Sequence, residues 1–283
     1  MPKHRISTGI ELYYESHGQG EPIVLIPGTA FGGNVWDSSQ VPALSQDLQV
    51  ITFDQRGCGR TSAPEGVYTI EQMACDVVDL LDHLGLESAH VLGHSMGGRI
   101  GLALALAYPD RVCSLILAAS GSGPAIRSGE ECIPGLPYRM VNELVEMGFE
   151  EYVRDEVCET STYFTDDYRK QHPDKVRAFF DMVWEQHARW PAFLRLIMAR
   201  HSWEGTHRLG DISMPTLVMI GDNDTVGSNH VSQGQALINR IPGAEQVILK
   251  GQTHGHFWQV PDETNALILD WVERHRGSIH AAA

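Results

Sequence analysis

A serine flanked by glycines lies between a strand pattern and a helix pattern, and this feature constrains the fold most. Residues 89–93 form an apolar run that ends at Gly93, and a small, apolar run typical of a helix begins at Met96. A chain can turn directly from strand into helix only if the pivot, here Ser95, takes a strained backbone conformation. The residues two before and two after the pivot must then be small, and they are Gly93 and Gly97. This G-x-S-x-G pattern predicts a serine hydroxyl that is lifted clear of a sheet.

Short apolar runs alternate with helical patterns along most of the chain. An opening antiparallel hairpin is predicted over residues 5–17, a short helix over 36–44, and a longer helix from the capping box of Thr69 and Gln72. Largely apolar runs predict strands at residues 22–26, 48–53, 89–93, 113–119, 216–220 and 246–249. The continuous apolar run 22–26 is typical of a strand buried on both faces. This alternation predicts an α/β fold with a mostly parallel sheet flanked by helices.

Residues 125–208 interrupt this alternation. They contain no buried strand pattern, only amphipathic helical patterns that are rich in Trp, Phe and Met. We therefore predict a helical cap at 125–208, inserted into a core made of residues 1–124 and 209–283. An aromatic cap over Ser95 favours a small or medium, mostly apolar substrate, since apolar burial is worth roughly 25 cal/mol per Å². This segment has no obvious strip of Arg or Lys that would hold a phosphate or a dicarboxylate, so the predicted substrate is uncharged or weakly charged.

The charge and the cysteine content of the chain bear on its partners and compartment. A formal net charge of −15 over 283 residues argues against nucleic acid and against anionic membrane surfaces as partners. The cysteines are odd in number and have no paired spacing, which favours free thiols in a reducing compartment. The N-terminal residues lack the apolar core of a signal peptide, and no run approaches the length of a membrane span. These features predict a cytoplasmic protein, for which a homodimer is one possible assembly.

Polar residues that could complete a site with Ser95 follow the last two predicted strands. A serine hydroxyl is a weak nucleophile near neutral pH and needs a base that a third group orients. In open α/β sheets the reactive residues lie at the carboxyl ends of the strands. Asp222 and Asp224 follow the first of these strands, and His254 and His256 follow the second. The order Ser, Asp, His fits the elbow, but the pattern alone leaves both pairs open.

Neither a metal nor a cofactor is predicted. His254 and His256 lie close in sequence, but no other cluster has the spacing of metal ligands. Residues 57–59 and 121–123 are glycine-rich, yet neither opens a helix with a third glycine at the position that a dinucleotide fingerprint requires.

Five stretches of the chain resemble the α/β-hydrolase fold family, and most closely its small capped serine esterases and enol-lactonases. They are residues 25–29, residues 53–60, the serine elbow, the pair Gly221 and Asp224, and residues 253–261. The resemblance covers nearly the full length of the chain. It implies an eight-stranded, mostly parallel sheet with an inserted helical cap, and a Ser-His-Asp triad.

The resemblance also selects between the open candidates. In the family the acid stands three residues after the glycine that closes its strand, which selects Asp224 over Asp222. The histidine usually lies seven residues before a proline that opens the last helix, and His254 stands at that distance from Pro261. The resemblance thus implies Ser95 as the nucleophile, His254 as the general base and Asp224 as the acid that orients it.

Two backbone N–H groups are expected to bind the oxyanion of an acyl-transfer site. One belongs to Met96, directly after Ser95, and the resemblance implies Thr29 for the other. Family members usually carry His-Gly before that second donor, whereas this chain has Pro27 and Gly28. Residues expected to contact the substrate are His94, Trp184 and His256.

The residues next to Ser95 separate the activities found in this family. A serine at the elbow argues against enzymes that need an aspartate nucleophile. Proline iminopeptidases usually have tryptophan where this chain has Met96, and carbon–carbon bond hydrolases usually have asparagine where it has His94. Hydrolysis of a carboxylic ester or lactone is therefore the predicted activity, with those two activities as alternatives. A slow-turnover receptor or signalling protein that keeps the triad is a third alternative.

Overall fold

One sheet of eight strands forms the centre of the protein. The computed structural model describes residues 3–123, 132–133, 136–160, 162–225 and 230–277. Its strands are β1 (Lys3–Arg5), β2 (Glu11–His17), β3 (Glu21–Ile26), β4 (Leu48–Phe53), β5 (Ala89–His94), β6 (Val112–Ala118), β7 (Cys132–Ile133), β8 (Leu136–Pro137), β9 (Thr216–Gly221) and β10 (Glu245–Leu249). The sheet has the order β1-β2-β4-β3-β5-β6-β9-β10, while β7 and β8 form a separate two-stranded ladder.

The predicted mostly parallel sheet is confirmed. β1 pairs with β2 and β2 with β4 in antiparallel fashion, and the other neighbours in the sheet pair in parallel. The chain leaves β3 towards one edge to form β4 and then returns past β3 to form β5. This reversal makes the carboxyl ends of β3 and β5 the switch point of the sheet, where open α/β sheets bind ligands. Thr29 follows β3 and Ser95 follows β5.

Helices flank the sheet and fill most of the chain between β8 and β9. They are α1 (Gln40–Leu44), α2 (Ile70–Leu84), α3 (Met96–Ala107), α4 (Tyr138–Met147), α5 (Phe149–Arg154), α6 (Asp166–Gln171), α7 (Pro173–Gln186), α8 (Ala192–Ser202), α9 (His230–Arg240), α10 (His256–Gln259) and α11 (Pro261–Arg274). The capping box that starts α2 is present, because the Thr69 hydroxyl accepts a hydrogen bond from the Gln72 N–H at 3.1 Å. In the ranges that the structure describes, no helix is both long and apolar enough to cross a bilayer.

The segment predicted as a cap contains α4 to α8. Its helix α5 continues into a π-helical turn, Asp155–Glu159. Phe179 and Phe180 of α7 are buried, together with Phe193 of α8. The division of the chain into a core and a cap at residues 124 and 209 stays a prediction, and residues 124–131 lie outside the described residues.

The short helix predicted over 36–44 is wrong in its extent. The chain forms a 3-10 turn at Gly33–Trp36 and then the separate helix α1. Pro42 explains the break, because a proline inside a continuous helix would clash with the carbonyl of Ser38 four residues earlier. In α1, Pro42 is the third residue, where a backbone N–H would have no intrahelical acceptor.

Candidate active site

The backbone of Ser95 has the strained geometry that the elbow pattern predicts. Its φ is 56° and its ψ is −116°, a left-handed φ that is uncommon for any residue other than glycine. The Ser95 N–H donates to the Ala118 carbonyl at 2.9 Å, and the Ser120 hydroxyl donates to the Ser95 carbonyl at 2.7 Å. These two hydrogen bonds fix the pivot between β5 and α3, which the surrounding structure must stabilise.

The glycines around Ser95 have no room for a side chain. A Cβ on Gly93 would overlap the backbone of Gly97, and a Cβ on Gly97 would overlap the carbonyl oxygen of Ile26 and lie 2.7 Å from that of Pro27. The steric reason that the sequence gives for the pattern is therefore visible in the structure. Gly97 also brings the start of α3 against the end of β3, which places Ser95 beside the loop that carries Thr29.

Substitution of Gly97 by alanine is expected to destabilise the protein by about 3 kcal/mol, because the clash is with backbone that cannot move away. Urea unfolding measures this change in the free energy of unfolding. The matched control is Gly210→Ala, since no heavy atom among the described residues lies within 4 Å of a Cβ there. The control should change stability by less than about 1 kcal/mol. Equal effects of the two changes would contradict the steric account of the elbow.

His254 and Asp224 form a buried hydrogen-bonded pair at the carboxyl ends of β10 and β9. The Nδ1 of His254 lies 2.8 Å from Oδ2 of Asp224, and both side chains are almost completely buried. A carboxylate only accepts hydrogen bonds, so Nδ1 carries the proton in the neutral ring. The Nε2 of His254 is then left as an acceptor and a base.

Asp222 and His256, the alternatives to Asp224 and His254, lie in different environments. Asp222 is exposed, and its Oδ1 accepts the Gly251 N–H at 2.6 Å, so this carboxylate stabilises a turn. His256 is fully buried, and within the described parts of the chain neither of its ring nitrogens has a partner of good hydrogen-bond geometry. Burial, with His254 as the next cause, lowers the pKa of His256 to about 4. His256 is therefore neutral at physiological pH, and its predicted contact with the substrate stays a prediction.

Asp224→Asn should lower kcat by about 10⁴-fold, because an amide can donate to Nδ1 and so stabilises the wrong tautomer of His254. Asp222→Asn is the matched control two residues away. Its amide oxygen can still accept from Gly251, so we expect kcat to change less than about twofold. Steady-state kinetics on an activated ester measure both variants. A larger loss of kcat in the Asp222 variant would reverse the assignment.

The chain segment that carries His254 is bound from two sides. Its backbone N–H donates to the Thr162 carbonyl at 3.1 Å, and the Thr253 hydroxyl donates to the Tyr163 carbonyl at 2.7 Å. On the other side, Nε2 of His94 donates to the His254 carbonyl at 2.9 Å. Burial, and then the neighbouring His254 and His256, hold the pKa of His94 well below its usual value, so this ring stays neutral.

His94 is buried against His254. The side chain is 1% exposed, and its ring lies 4.7 Å, between centroids, from the ring of His254. Its hydrogen bond holds the backbone of His254, and its predicted contact with the substrate stays a prediction. His94 is thus placed to position His254.

The loop after β3 is held in place by the side chain of Gln55, which lies just after β4. Nε2 of Gln55 donates to the carbonyls of Pro27 and Gly28, each at 2.9 Å. A Cβ on Gly28 would lie 3.2 Å from Nδ1 of His94 and 3.5 Å from Cβ of Ser95, so the loop passes directly over the elbow. Gln55 therefore supplies the ordering that the absent family histidine would give, and sequence reasoning missed it.

The two predicted oxyanion donors, Met96 and Thr29, follow the elbow serine and Gly28 directly in the chain. Met96 is the first residue of α3, where a backbone N–H has no intrahelical acceptor. Thr29 lies in the loop over the elbow, between Gly28 and Ala30, whose φ of 66° marks a sharp turn. The Ala30 carbonyl accepts the Ala188 N–H at 2.8 Å, so the helical insertion also binds this loop.

The comparisons with known proteins agree with this architecture. The family model described as the alpha/beta hydrolase fold matches residues 21–260. RutD of Azorhizobium caulinodans, named as a predicted carbamate hydrolase, is 32% identical over 261 residues, which are 92% of this chain and 94% of RutD. The chain belongs to the α/β-hydrolase fold family.

Solved structures give the same result. The enol-lactonase from Burkholderia xenovorans LB400 is 26% identical, with a TM-score of 0.84 over 96% of this chain and 100% of its own. A thermophilic esterase from Thermogutta terrifontis is also 26% identical, with a TM-score of 0.81 over 97% of this chain and 100% of its own. The predicted family and the predicted fold class are thus confirmed.

The helical insertion of this α/β-hydrolase-family chain brings charged groups to the site that the sequence did not indicate. Arg200 of α8 donates to the hydroxyl of Thr29 at 3.2 Å. Glu156, in the π-helical turn, interacts electrostatically with both Arg200 and His254. Single charged residues inside helical patterns carry no sequence signal of their own, so only the fold places them beside Thr29.

Trp184 packs against other side chains of the insertion and is partly buried. Its ring stacks on Phe180 at 6.0 Å and on His187 at 5.8 Å, and the Arg189 guanidinium lies 4.2 Å from its centre. Its contact with the substrate stays a prediction. No group of three metal-ligating side chains occurs in the part of the chain that the structure describes.

Proposed function

We propose that this protein is a serine hydrolase that cleaves a small to medium, mostly apolar carboxylic ester or lactone through an acyl-enzyme on Ser95. His254 is the general base and Asp224 orients it. The observation that carries the proposal is the buried 2.8 Å hydrogen bond between His254 and Asp224, which follow β10 and β9 at the same edge of the sheet as the strained serine elbow after β5. Membership of the α/β-hydrolase family supports it.

The acylation step follows from the tautomer of His254. With Nδ1–H donating to Asp224, the lone pair of Nε2 accepts the proton of the Ser95 hydroxyl while Oγ attacks the carbonyl carbon of the substrate. The imidazolium that forms is stabilised by the buried carboxylate, which stays ionised. Since His94 and His256 are held neutral, no other imidazole charge opposes this step.

The tetrahedral intermediate carries its negative charge on the former carbonyl oxygen. The N–H groups of Met96 and Thr29 are the proposed donors to this oxygen, and each such donor is typically worth 10²–10³ in kcat. As the intermediate collapses, Nε2–H gives its proton to the departing oxygen. That oxygen leaves as an alcohol from an ester, or stays tethered to the acyl group when the substrate is a lactone.

Deacylation repeats the cycle with water. Nε2 of His254 takes a proton from water, the hydroxide oxygen attacks the acyl carbon, and Ser95 leaves with the proton that the imidazolium returns. The products are a carboxylic acid and the free enzyme. No further group is needed for the balance of atoms and charge.

An aromatic cluster next to the triad supports an apolar body for the substrate. Phe31 follows the Thr29 loop and packs at 5.7 Å from Tyr163 and 6.3 Å from Trp258, measured between ring centroids. The Tyr163 ring also lies 5.7 Å from the ring of His254. Such rings favour apolar groups, because burial of apolar surface is worth roughly 25 cal/mol per Å².

The test is a substrate panel at fixed enzyme concentration. It contains short and medium p-nitrophenyl esters, aliphatic and aromatic lactones, an aryl carbamate, a prolyl peptide and a carbon–carbon bond substrate. The proposal expects the esters or lactones to be cleaved with kcat of about 1 s⁻¹ or more. Cleavage of the carbamate, the peptide or the carbon–carbon bond in preference to every ester and lactone would overturn it. A single slow turnover accompanied by a change in thermal stability would instead indicate a receptor.

A further inference from the structure

Arg200 has an incomplete set of partners beside the proposed oxyanion loop. One N–H of its guanidinium donates to the Thr29 hydroxyl at 3.2 Å, and another lies 2.8 Å from Nε2 of His201. A guanidinium has five N–H groups. Its buried Nε–H has no acceptor, and no carboxylate in the described ranges lies within 4.0 Å of it.

A guanidinium in this position normally pairs with an acid. Buried charges in proteins are almost always paired, because an unpaired charge loses its hydration without compensation. Burial is the main influence on Arg200 and lowers its pKa, although the group remains a cation near neutral pH. Glu156 favours the charged form of Arg200 through space, but no carboxylate of the described residues forms an ion pair with it.

Two titratable neighbours of Arg200 form no ion pair with it among the described residues. Burial, followed by Arg200 itself, lowers the pKa of His201 to about 2, so this ring is neutral. Burial raises the pKa of Glu156, whose Oε1 accepts a hydrogen bond from the Tyr152 hydroxyl at 3.1 Å. Glu156 interacts with Arg200 through space without forming an ion pair with it.

A second guanidinium adds to the positive potential at this end of the site. Arg99 lies one turn along α3 from Ser95 and is fully buried, with its donors on the Gly123 carbonyl and on Gln233. Burial, and then the nearby Arg200, lowers the pKa of Arg99 to about 9, so it too is charged at neutral pH. The site therefore favours an anion near Arg200.

Arg200 is also partly accessible, as a residue facing a cavity must be. Protein atoms surround Arg200, Glu156 and Tyr163, yet each keeps some exposed surface. All three interact electrostatically with one another, and Tyr163 also does so with Asp224. The hydrogen bond from Arg200 to the Thr29 hydroxyl connects this group of side chains to the loop over the elbow.

We propose that Arg200 selects substrates whose mostly apolar body ends in a carboxylate, which its free N–H groups bind while Thr29 addresses the scissile carbonyl. The fork of the guanidinium matches the two oxygens of a carboxylate, so one group both orients and discriminates. This inference rests on the proposed esterase or lactonase function and narrows the sequence-based prediction of an uncharged or weakly charged substrate to one with a terminal carboxylate. A single arginine forms no strip of basic residues, so the sequence pattern does not indicate it.

The test compares matched acids and neutral esters. The carboxylated probes are 4-nitrophenyl hydrogen adipate and hydrogen suberate, and the neutral probes are 4-nitrophenyl hexanoate and octanoate. Spontaneous release of nitrophenol is subtracted with the Ser95→Ala protein. The wild-type enzyme should favour at least one carboxylated probe over its neutral match by tenfold or more in kcat/KM.

Three variants separate selection from positioning. Arg200→Gln should lower kcat/KM about 100-fold for the favoured carboxylated probe, mainly through KM, and by less than about fivefold for the neutral ester. Arg200→Lys should recover part of the preference, since it keeps the charge but loses the fork. Thr29→Val removes the hydroxyl that Arg200 contacts and should slow both probes equally while the preference remains.

The matched control is Arg177→Gln, an exposed arginine on α7, which should leave both probes unaffected. Equal rates for acid and neutral probes in the wild type, or an equal loss for both in Arg200→Gln, would overturn the selection by Arg200 and leave the esterase proposal standing. Absence of an acyl-enzyme at Ser95 with every probe would overturn the proposed function, and this inference with it.

Discussion

Ser95→Ala is expected to lower kcat by roughly 10⁶-fold and to leave the protein folded. Removal of the nucleophile from a Ser-His-Asp triad has an effect of this size, and the residual rate comes from the oxyanion donors and binding alone. Alanine introduces no clash at the pivot, and the hydrogen bonds that fix it come from the backbone and from Ser120. Steady-state kinetics on the best substrate of the panel give kcat, and thermal unfolding checks the fold.

Retention of more than about one tenth of the wild-type kcat by the folded Ser95→Ala protein would exclude Ser95 as the nucleophile. Ser120 provides the matched control. It is buried next to the elbow and its hydroxyl already donates to the Ser95 carbonyl. Ser120→Ala removes one hydrogen bond, so we expect a loss of stability of about 1 kcal/mol and a change in kcat of tenfold at most.

His254→Ala is expected to lower kcat by a similar factor, roughly 10⁶-fold, since the hydroxyl of Ser95 then has no base. His256→Ala tests the alternative histidine two residues later. Its ring contributes packing, with Phe257 at 4.5 Å and His94 at 6.2 Å between centroids, but no hydrogen bond to Asp224. We expect that variant to lose stability and to keep kcat within about tenfold.

Kinetics on both histidine variants, with circular dichroism to confirm that each is folded, decide between them. If His256→Ala proves the more damaging to kcat, the assignment of His254 as the base is wrong. The pH dependence of kcat is a second test of which histidine is the base. Because the pKa of His256 is lowered to about 4 by burial, its titration cannot produce a loss of activity between pH 6 and 7.

The parts of the site that the sequence predicts are those that depend on neighbouring residues. The elbow is one case, because the need for Gly93 and Gly97 comes from a clash within a strand–turn–helix unit. The helix cap at Thr69 is another, since its partner lies three residues away. Strands buried on both faces have continuous apolar runs, and the alternation of such runs with helical patterns predicts a mostly parallel sheet.

The parts that the sequence does not predict depend on contacts between distant residues. Arg200 and Thr29 are 171 positions apart, and Gln55 reaches Pro27 across 28 positions. Neither contact has a pattern of its own, because one polar side chain in a helix or a loop has many solvent-exposed alternatives. The contact between His94 and His254 is another case, since these residues become neighbours only in the fold.

The assignment of the nucleophile is tested most directly by mass spectrometry of the protein after reaction with a fluorophosphonate. The reagent modifies only a serine whose hydroxyl a neighbouring base activates, so the adduct identifies the nucleophile itself. We predict a single adduct on the tryptic peptide that contains Ser95, much slower labelling in His254→Ala, and none in Ser95→Ala. An adduct on any other residue of the folded wild-type protein, or labelling that does not depend on His254, would contradict the proposed site.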